Sequence, residues 1–172
     1  MDLNGLKQGA PGITPEFGGC LAQAAAVCLE EQGHSNGVPM TIDGQFETTF
    51  SMFWSPTTNQ VKKCWGDLEV TTEHGAYGVA ILLVLKLTEY RVIERSRKGT
   101  GFDFWLGRPE RSDPLFQGKA RLEVSGIRNG DNKAIDDRVK SKIKRFDEFK
   151  STLPAIIVVV EFSNPRSRIV NK

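Results

Sequence analysis

The sequence predicts an α/β domain of the α+β type, in which a helix, three strands, a second helix and a fourth strand follow a leading helix and β-hairpin. Three observations carry this. Apolar residues recur at helical spacing around 14–33, 73–87 and 135–146; short alternating or wholly apolar runs stand at 90–95, 102–106, 120–127 and 155–160; and Gly-, Pro- and Asn-rich turns separate them. At 172 residues a chain buries roughly 70% of the surface it exposes when unfolded, so one core forms without metal or disulfide staples.

The elements follow in order. Thr14-Pro15-Glu16 supplies an N-cap, a proline at the first helical position and an early acid; Phe17, Leu21, Ala24 and Cys28 continue at helical spacing until Gly33. Val38, Met40 and Ile42 alternate, Asp43-Gly44 offers a hairpin turn, and Phe46, Thr48, Phe50, Met52 and Trp54 alternate again. Ser55 to Gln60 is a polar loop, and Val61 to Trp65 reads as a short strand. From Glu73 to Leu87 a buried helix is expected, with Ala76, Ala80, Leu83 and Leu87 on one stripe and Gly75 and Gly78 permitting close packing. Strands at Tyr90–Arg95 and Phe102–Leu106 flank the turn Lys98-Gly99-Thr100-Gly101. A Pro- and charge-rich loop from Arg108 to Asp113 leads to a third strand, Ala120–Ile127. Ile135, Val139, Ile143 and Phe146 mark an amphipathic helix, Pro154 introduces the apolar strand Ala155–Val160, and a polar, basic tail begins at Asn164. The organisation expected is one domain over 1–172: an N-terminal helix and hairpin extension at 1–65, a core at 66–163 and a tail at 164–172.

Composition narrows the function classes. With 39% hydrophobic and 26% charged residues the chain is neither collagenous, coiled-coil nor disordered. Cys20, Cys28 and Cys64 form an odd set without pair spacing, which suits a reducing compartment and small buried side chains; neither His34 nor His74 lies near a CxxC. The opening residues lack a basic segment followed by an apolar one, and the apolar runs at Val79–Leu87 and Ala155–Val160 are short of a membrane span, so a cytoplasmic protein without a membrane partner is expected. The net charge of +2 is a near-cancellation. Residues 1–90 hold four basic and ten acidic side chains, a net of −6, and residues 91–172 hold 19 and 11, a net of +8. A basic half points to phosphate or another polyanion; in a compact domain the two halves can equally pair with each other.

Alternation places Asp103 and Trp105 opposite Phe102, Phe104 and Leu106, and sets Arg121, Glu123 and Ser125 on one face of the next strand, with Leu122 and Val124 on the other. Asp103 and Glu123 on neighbouring strands can converge on one divalent cation, because carboxylates are the hard oxygen ligands that Mg²⁺ or Mn²⁺ prefers.

This αβββαβ order, with Asp in the second strand and Glu in the third, resembles the PD-(D/E)XK phosphodiesterase superfamily, the restriction-endonuclease-like fold. The resemblance covers roughly the last hundred residues. It implies a central mixed sheet flanked by helices and metal-dependent cleavage of phosphodiester bonds, in DNA rather than RNA. It also implies Asp103 and Glu123 as metal ligands joined by Glu73 at the start of the first core helix. The motif lysine is replaced by Ser125, whose hydroxyl positions water but carries no charge to offset that growing on a phosphoryl group. Arg121, Lys140 or Lys144 are the candidate substitutes, and Arg95, Arg97 and Lys98 the strand-borne phosphate contacts beside the acids.

Plainer roles stand beside these. Asp103 can pair with Arg95 or Arg97 across the hairpin, Glu123 with Arg121 or Arg128, and Glu73 can complement a helix dipole. Glu94 suits a solvent-facing salt bridge and His74 a capping or surface role. Lys133, Arg138, Lys140, Lys142, Lys144 and Arg145 alternate with acids, as on a solvated helix laced with ion pairs. A catalytically silent domain of the same fold, binding nucleic acid or protein, is the alternative function. A scaffold or inhibitory subunit, or a homodimer, using the hairpin Phe46–Trp54 as its contact surface is a third. GxSxG, GxxxxGK[ST], HExxH and CxxC are all absent, and Gly99-Thr100-Gly101 joins two strands, so serine-hydrolase, P-loop, zinc and dinucleotide sites lack a motif.

Overall fold

A computed structural model describes residues 1–108, 119–148 and 152–172. The loop expected from Arg108 to Asp113 therefore lies, beyond Arg108, outside the described residues. The elements are a 3₁₀ turn at Leu3–Gln8, α1 (Pro15–Glu31), β1 (Val38–Gly44), β2 (Thr48–Met52), α2 (Asn59–Cys64), α3 (Leu68–Leu87), β3 (Arg91–Arg95), β4 (Phe104–Gly107), β5 (Ala120–Ile127), α4 (Asn132–Glu148), β6 (Ala155–Glu161) and β7 (Arg166–Asn171). The fold is α+β, as the sequence predicts: one open mixed sheet of seven strands, ordered β2-β1-β7-β6-β5-β4-β3, with helices on both faces.

The stretch α3-β3-β4-β5-α4-β6 has the expected αβββαβ order. β3, β4 and β5 are joined antiparallel, and β5 and β6 are parallel, linked through α4. Strand β6 has no exposed residue along its length, as its unbroken apolar run requires of a strand covered on both faces. On one face Leu122, Val124, Ile156 and Val158 pack with α1 and α3; on the other Ile157 and Val159 pack with Ile135, Val139 and Phe146 of α4.

Four local expectations are corrected. Val61–Trp65 is not a strand: Thr58 Oγ1 accepts from the Val61 N–H at 3.2 Å and caps the short helix α2. The hairpin turns at Gln45-Phe46-Glu47 rather than Asp43-Gly44, because Asp43 and Gly44 continue β1 alongside β7. The tail is a strand: Ser167 and Ile169 are buried and Arg166 and Arg168 are half-buried, an alternation that the charges obscure in sequence. Inserted between β1 and β6, β7 joins the N-terminal hairpin to the rest of the sheet. Finally, α3 starts five residues before Glu73, where Asp67 accepts from the N–H groups of Glu69 and Val70 at 2.9 and 3.0 Å.

Helix α3 is buried on every side from Gly75 to Val84, between α1 and the sheet. It is also, among the described residues, the one helix with the length and mean hydropathy (1.2) of a membrane span, yet 67% of that stretch is buried within the fold. Glu73, His74 and Lys86 break the run that the sequence shows. Glycines set how closely it packs. A Cβ on Gly75 would lie 3.1 Å from Ala25 Cα of α1, one on Gly78 3.1 Å from the Leu21 carbonyl oxygen, and one on Gly126 of β5 2.6 Å from the Thr72 carbonyl oxygen. Gly126→Ala should therefore destabilise the protein by about 1–3 kcal/mol, the range for overpacking. Gly19→Ala on α1, whose Cβ would meet nothing nearer than Lys7 Cγ at 4.0 Å, should stabilise by ~0.5–1 kcal/mol. Urea unfolding of the two variants tests this, and a neutral Gly126→Ala would refute the close approach.

Candidate functional site

The acids gather where α3 crosses the β4 and β5 strands. Asp103 immediately precedes β4; its N–H donates to the Leu122 carbonyl at 2.9 Å, and its Oδ2 accepts from the Val124 N–H at 2.8 Å. This fixes the carboxylate against β5 from both ends. Its Oδ1 faces Tyr77 of α3, whose hydroxyl is 2.9 Å away and also lies 2.5 Å from Glu73 Oε1, one helical turn earlier. A phenol has a single proton, so the two carboxylates compete for it. The Tyr77 ring is held edge-on by Phe104 at 5.2 Å and His74 at 5.8 Å, with the Arg95 guanidinium 5.9 Å from its centroid. Burial and the two acids together raise the phenol far above its ordinary pKa.

Glu123 stands next along β5 and is 3% exposed. Lys142 Nζ of α4 meets its Oε1 at 2.5 Å. Burial first, and then the Asp103 charge, push the Glu123 carboxyl up to about 7, against the opposing pull of Lys142 and Arg145. Ser125, two residues on, accepts a hydrogen bond from Arg138 Nη1 at 2.7 Å.

These groups form the floor of a cleft of about 930 Å³. The first turn of α3, with Leu68 and Glu69, makes one wall; the β3–β4 turn from Arg95 to Phe102 makes another; Arg138, Lys142 and Arg145 of α4 close the third side. Of the expected site residues, Glu73, Asp103, Glu123, Ser125, Arg95, Arg97 and Lys98 all line it. Arg121, Lys140 and Lys144 do not. Arg121 is 5% exposed, with its guanidinium over the Phe146 ring at 4.7 Å and Nη2 donating to the Leu153 carbonyl at 2.6 Å. Lys140 and Lys144 are exposed on α4, outside the cleft. The cations of that helix that reach the floor are Arg138, Lys142 and Arg145, a stripe at spacings of four and three. Each immediately precedes an apolar residue of the core-facing stripe Val139, Ile143 and Phe146, a pattern already visible in the sequence.

Asp103 pairs with neither Arg95 nor Arg97, and Arg128 pairs with Glu31 instead of Glu123. Glu73 is well inside α3 and not in its first turn. Phe102 does not share a face with Phe104 and Leu106; it precedes the regular strand, is half-buried, and meets Trp105 edge-on at 4.6 Å. His74 packs between the rings of Phe17, Trp65 and Tyr77. Of the cysteines, Cys28 alone is buried, its thiol pushed up to about 12 by that burial, while Cys20 and Cys64 are exposed. In the hairpin Trp54 is buried, Phe46 and Phe50 pack against the core, and Phe53 is 47% exposed.

Glu73 and Asp103 are thus drawn together on one hydroxyl, with Glu123 coupled to Asp103 by charge. Among the described residues no three His, Cys, Asp or Glu side chains already converge as a ready-made metal cage; hydrogen bonds to Tyr77 and Lys142 hold the acids instead. The donor set is nonetheless all oxygen and carries three acids, which fits a hard divalent cation and not a soft one. No family model, curated protein or solved structure gives a significant match to this chain.

The raised Glu123 pKa sets a pH dependence. The folded protein holds that proton more tightly than the unfolded chain, so the stabilisation is complete below about pH 4.5 and is lost as pH rises through about 7. Without added metal, the melting temperature of the parent should contain a component that falls between pH 5 and 8, and Glu123→Gln should remove it. Parallel melting curves for parent and variant across that range would contradict the assignment.

Proposed function

We propose that this protein is a divalent-metal-dependent nuclease of the PD-(D/E)XK type that hydrolyses phosphodiester bonds in DNA, acting in the cytoplasm. The observation that carries this is that Glu73, Asp103 and Glu123 line one cleft together with cations, Glu73 and Asp103 sharing the Tyr77 hydroxyl and Glu123 feeling the Asp103 charge. The αβββαβ order around that floor supports it, as do three free thiols for a reducing compartment.

Glu73, Asp103 and Glu123 are the residues that would hold Mg²⁺ or Mn²⁺, which when bound supplies charge stabilisation and an acidified water. The remaining work belongs to the chain. Hydrolysis forms one P–O bond to water and breaks one P–O bond to the leaving oxygen, while negative charge grows on the phosphoryl oxygens. The ammonium of Lys142, anchored on Glu123, takes over the positive charge that the motif position lacks at Ser125. Arg138 fixes the Ser125 hydroxyl, which is left to orient water by hydrogen bonding. Arg97 and Lys98, both exposed in the cleft wall, bind phosphates on either side of the scissile one.

Purified protein with Mg²⁺ or Mn²⁺ is expected to cleave DNA and to stop when the metal is chelated. Asp103→Ala should abolish cleavage; Lys142→Ala should slow it by roughly 10²-fold, as for loss of one charge-stabilising donor, while Lys144→Ala leaves it unchanged. DNA and RNA both left intact, or Asp103→Ala as active as the parent, would refute the activity. The ion pair between Lys142 and Glu123 favours the catalytically silent alternative, since it already neutralises one proposed ligand; in that case nucleic acid binds without being cut.

Tyr77→Phe keeps the ring and removes the hydroxyl that links Glu73 to Asp103. Mn²⁺ affinity, followed by electron paramagnetic resonance, should fall at least tenfold, as for other residues that orient metal ligands. Unchanged affinity would show that the hydroxyl does not position the acids.

A further inference from the structure

We infer that the cleft is shaped for an unpaired strand, with a base stacked on Phe102 beside the scissile phosphate; this rests on the phosphodiesterase activity proposed above. Three observations converge. Phe102 lines the cleft and adjoins Asp103 in sequence; it is half-buried, packed against the α4-side core with its ring centroid 4.6 Å from that of Trp105, and its uncovered part opens into the cleft. Across the floor Leu68, at the first turn of α3, also lines the cleft and is 51% exposed. Burying such a side chain against an apolar partner is favourable, and within the described fold about half of it stays open.

Arg97 and Lys98 share the wall that bears Phe102 and Arg145 lines the third side, and none of the three has a carboxylate partner within ion-pair distance among the described residues. Aromatic and apolar surface interleaved with unpaired cations suits a single strand, whose phosphates seek the cations and whose base faces seek the ring.

A duplex fits this arrangement poorly. Its base faces are stacked inside the helix, so Phe102 and Leu68 would meet only sugar and phosphate. The innermost acid, Glu123, is 3% exposed, and a phosphate on a rigid cylinder cannot follow a path between walls to reach it. A flexible strand can. The volume of about 930 Å³ is at the upper end of the range for small-ligand pockets, room for a few nucleotides.

The test is binding of a fluorescent 12-residue oligothymidylate and of a 12-base-pair duplex to the parent protein in EDTA, where cleavage is suppressed, at one fixed salt concentration. The oligothymidylate should bind at least tenfold more tightly than the duplex. Phe102→Ala should weaken oligothymidylate binding by roughly tenfold, as for loss of one stacked base, and leave duplex binding unchanged. Phe102→Trp, which keeps an aromatic face, should retain it, and the melting temperature of each variant excludes unfolding as the cause. Arg97→Ala should weaken both ligands and reduce the salt dependence of each. Duplex bound as tightly as single strand, no binding of either, or Phe102→Ala weakening both ligands alike would overturn the inference. Strand-selective, Phe102-dependent binding without cleavage in Mg²⁺ or Mn²⁺ would instead overturn the nuclease activity and leave the strand-binding cleft standing.

Discussion

The close packing of α3 is the constraint on which the rest of the structure depends. A helix buried on all sides must be met by small or absent side chains where it approaches its neighbours, and here Gly75 and Gly78 admit α1 while Gly126 admits Thr72 to the backbone of β5. That last contact lies one residue from Glu73 and two residues from Val124, whose N–H holds Asp103. The tightness of a hydrophobic interface therefore decides whether three carboxylates from three elements come within range of one another. Packing sets the distance, and electrostatics follow from it.

Those electrostatics are costly. Glu123 is almost wholly removed from water and sits near a second acid, which is why its proton is held so firmly. Lys142 offsets part of that cost and Tyr77 offers a hydrogen bond to the other two acids. A fold selected for stability alone would place apolar residues there, as it does on the opposite face of the same strand with Leu122 and Val124. Polar and charged groups kept in this position, at an expense that packing must cover, are what single out this cleft as the candidate site.

Much of this was legible in the sequence because strand alternation is a strong signal. The period-two pattern of Ala120–Ile127 put Glu123 and Ser125 on the face away from the α1–α3 core, and the apolar spacing of 135–146 located α4 to within a few residues. What failed did so for identifiable reasons. The arginines of β7 concealed a strand whose apolar contribution is little more than Ile169. The first turn and a half of α3, capped by Asp67, carries Leu68, Glu69 and Val70 without the apolar stripe that marks the helix further on. Charge content alone does not separate Lys140 and Lys144 from Lys142; the helical phase set by the apolar stripe does, since Arg138, Lys142 and Arg145, just before Val139, Ile143 and Phe146, line the cleft with the acids. Tyr77 carried no motif at all, and its role emerges only when α3 is laid against β4.

The place of β7 has a consequence for how the chain reaches this state. Among the described residues the hairpin β1–β2 pairs with the remaining sheet only through β7, in a parallel ladder that joins Thr41 to Arg166 and Ile42 to Ser167. Closing a loop of that span is entropically slow compared with forming the local ladders of β3, β4 and β5. The half of the sheet that bears the acids can therefore assemble from neighbouring segments, whereas the hairpin must wait, with one edge unpaired, until β7 arrives. Residues 166–171 are the keystone strand, and the order in which the two halves become protected from hydrogen exchange is written into the topology.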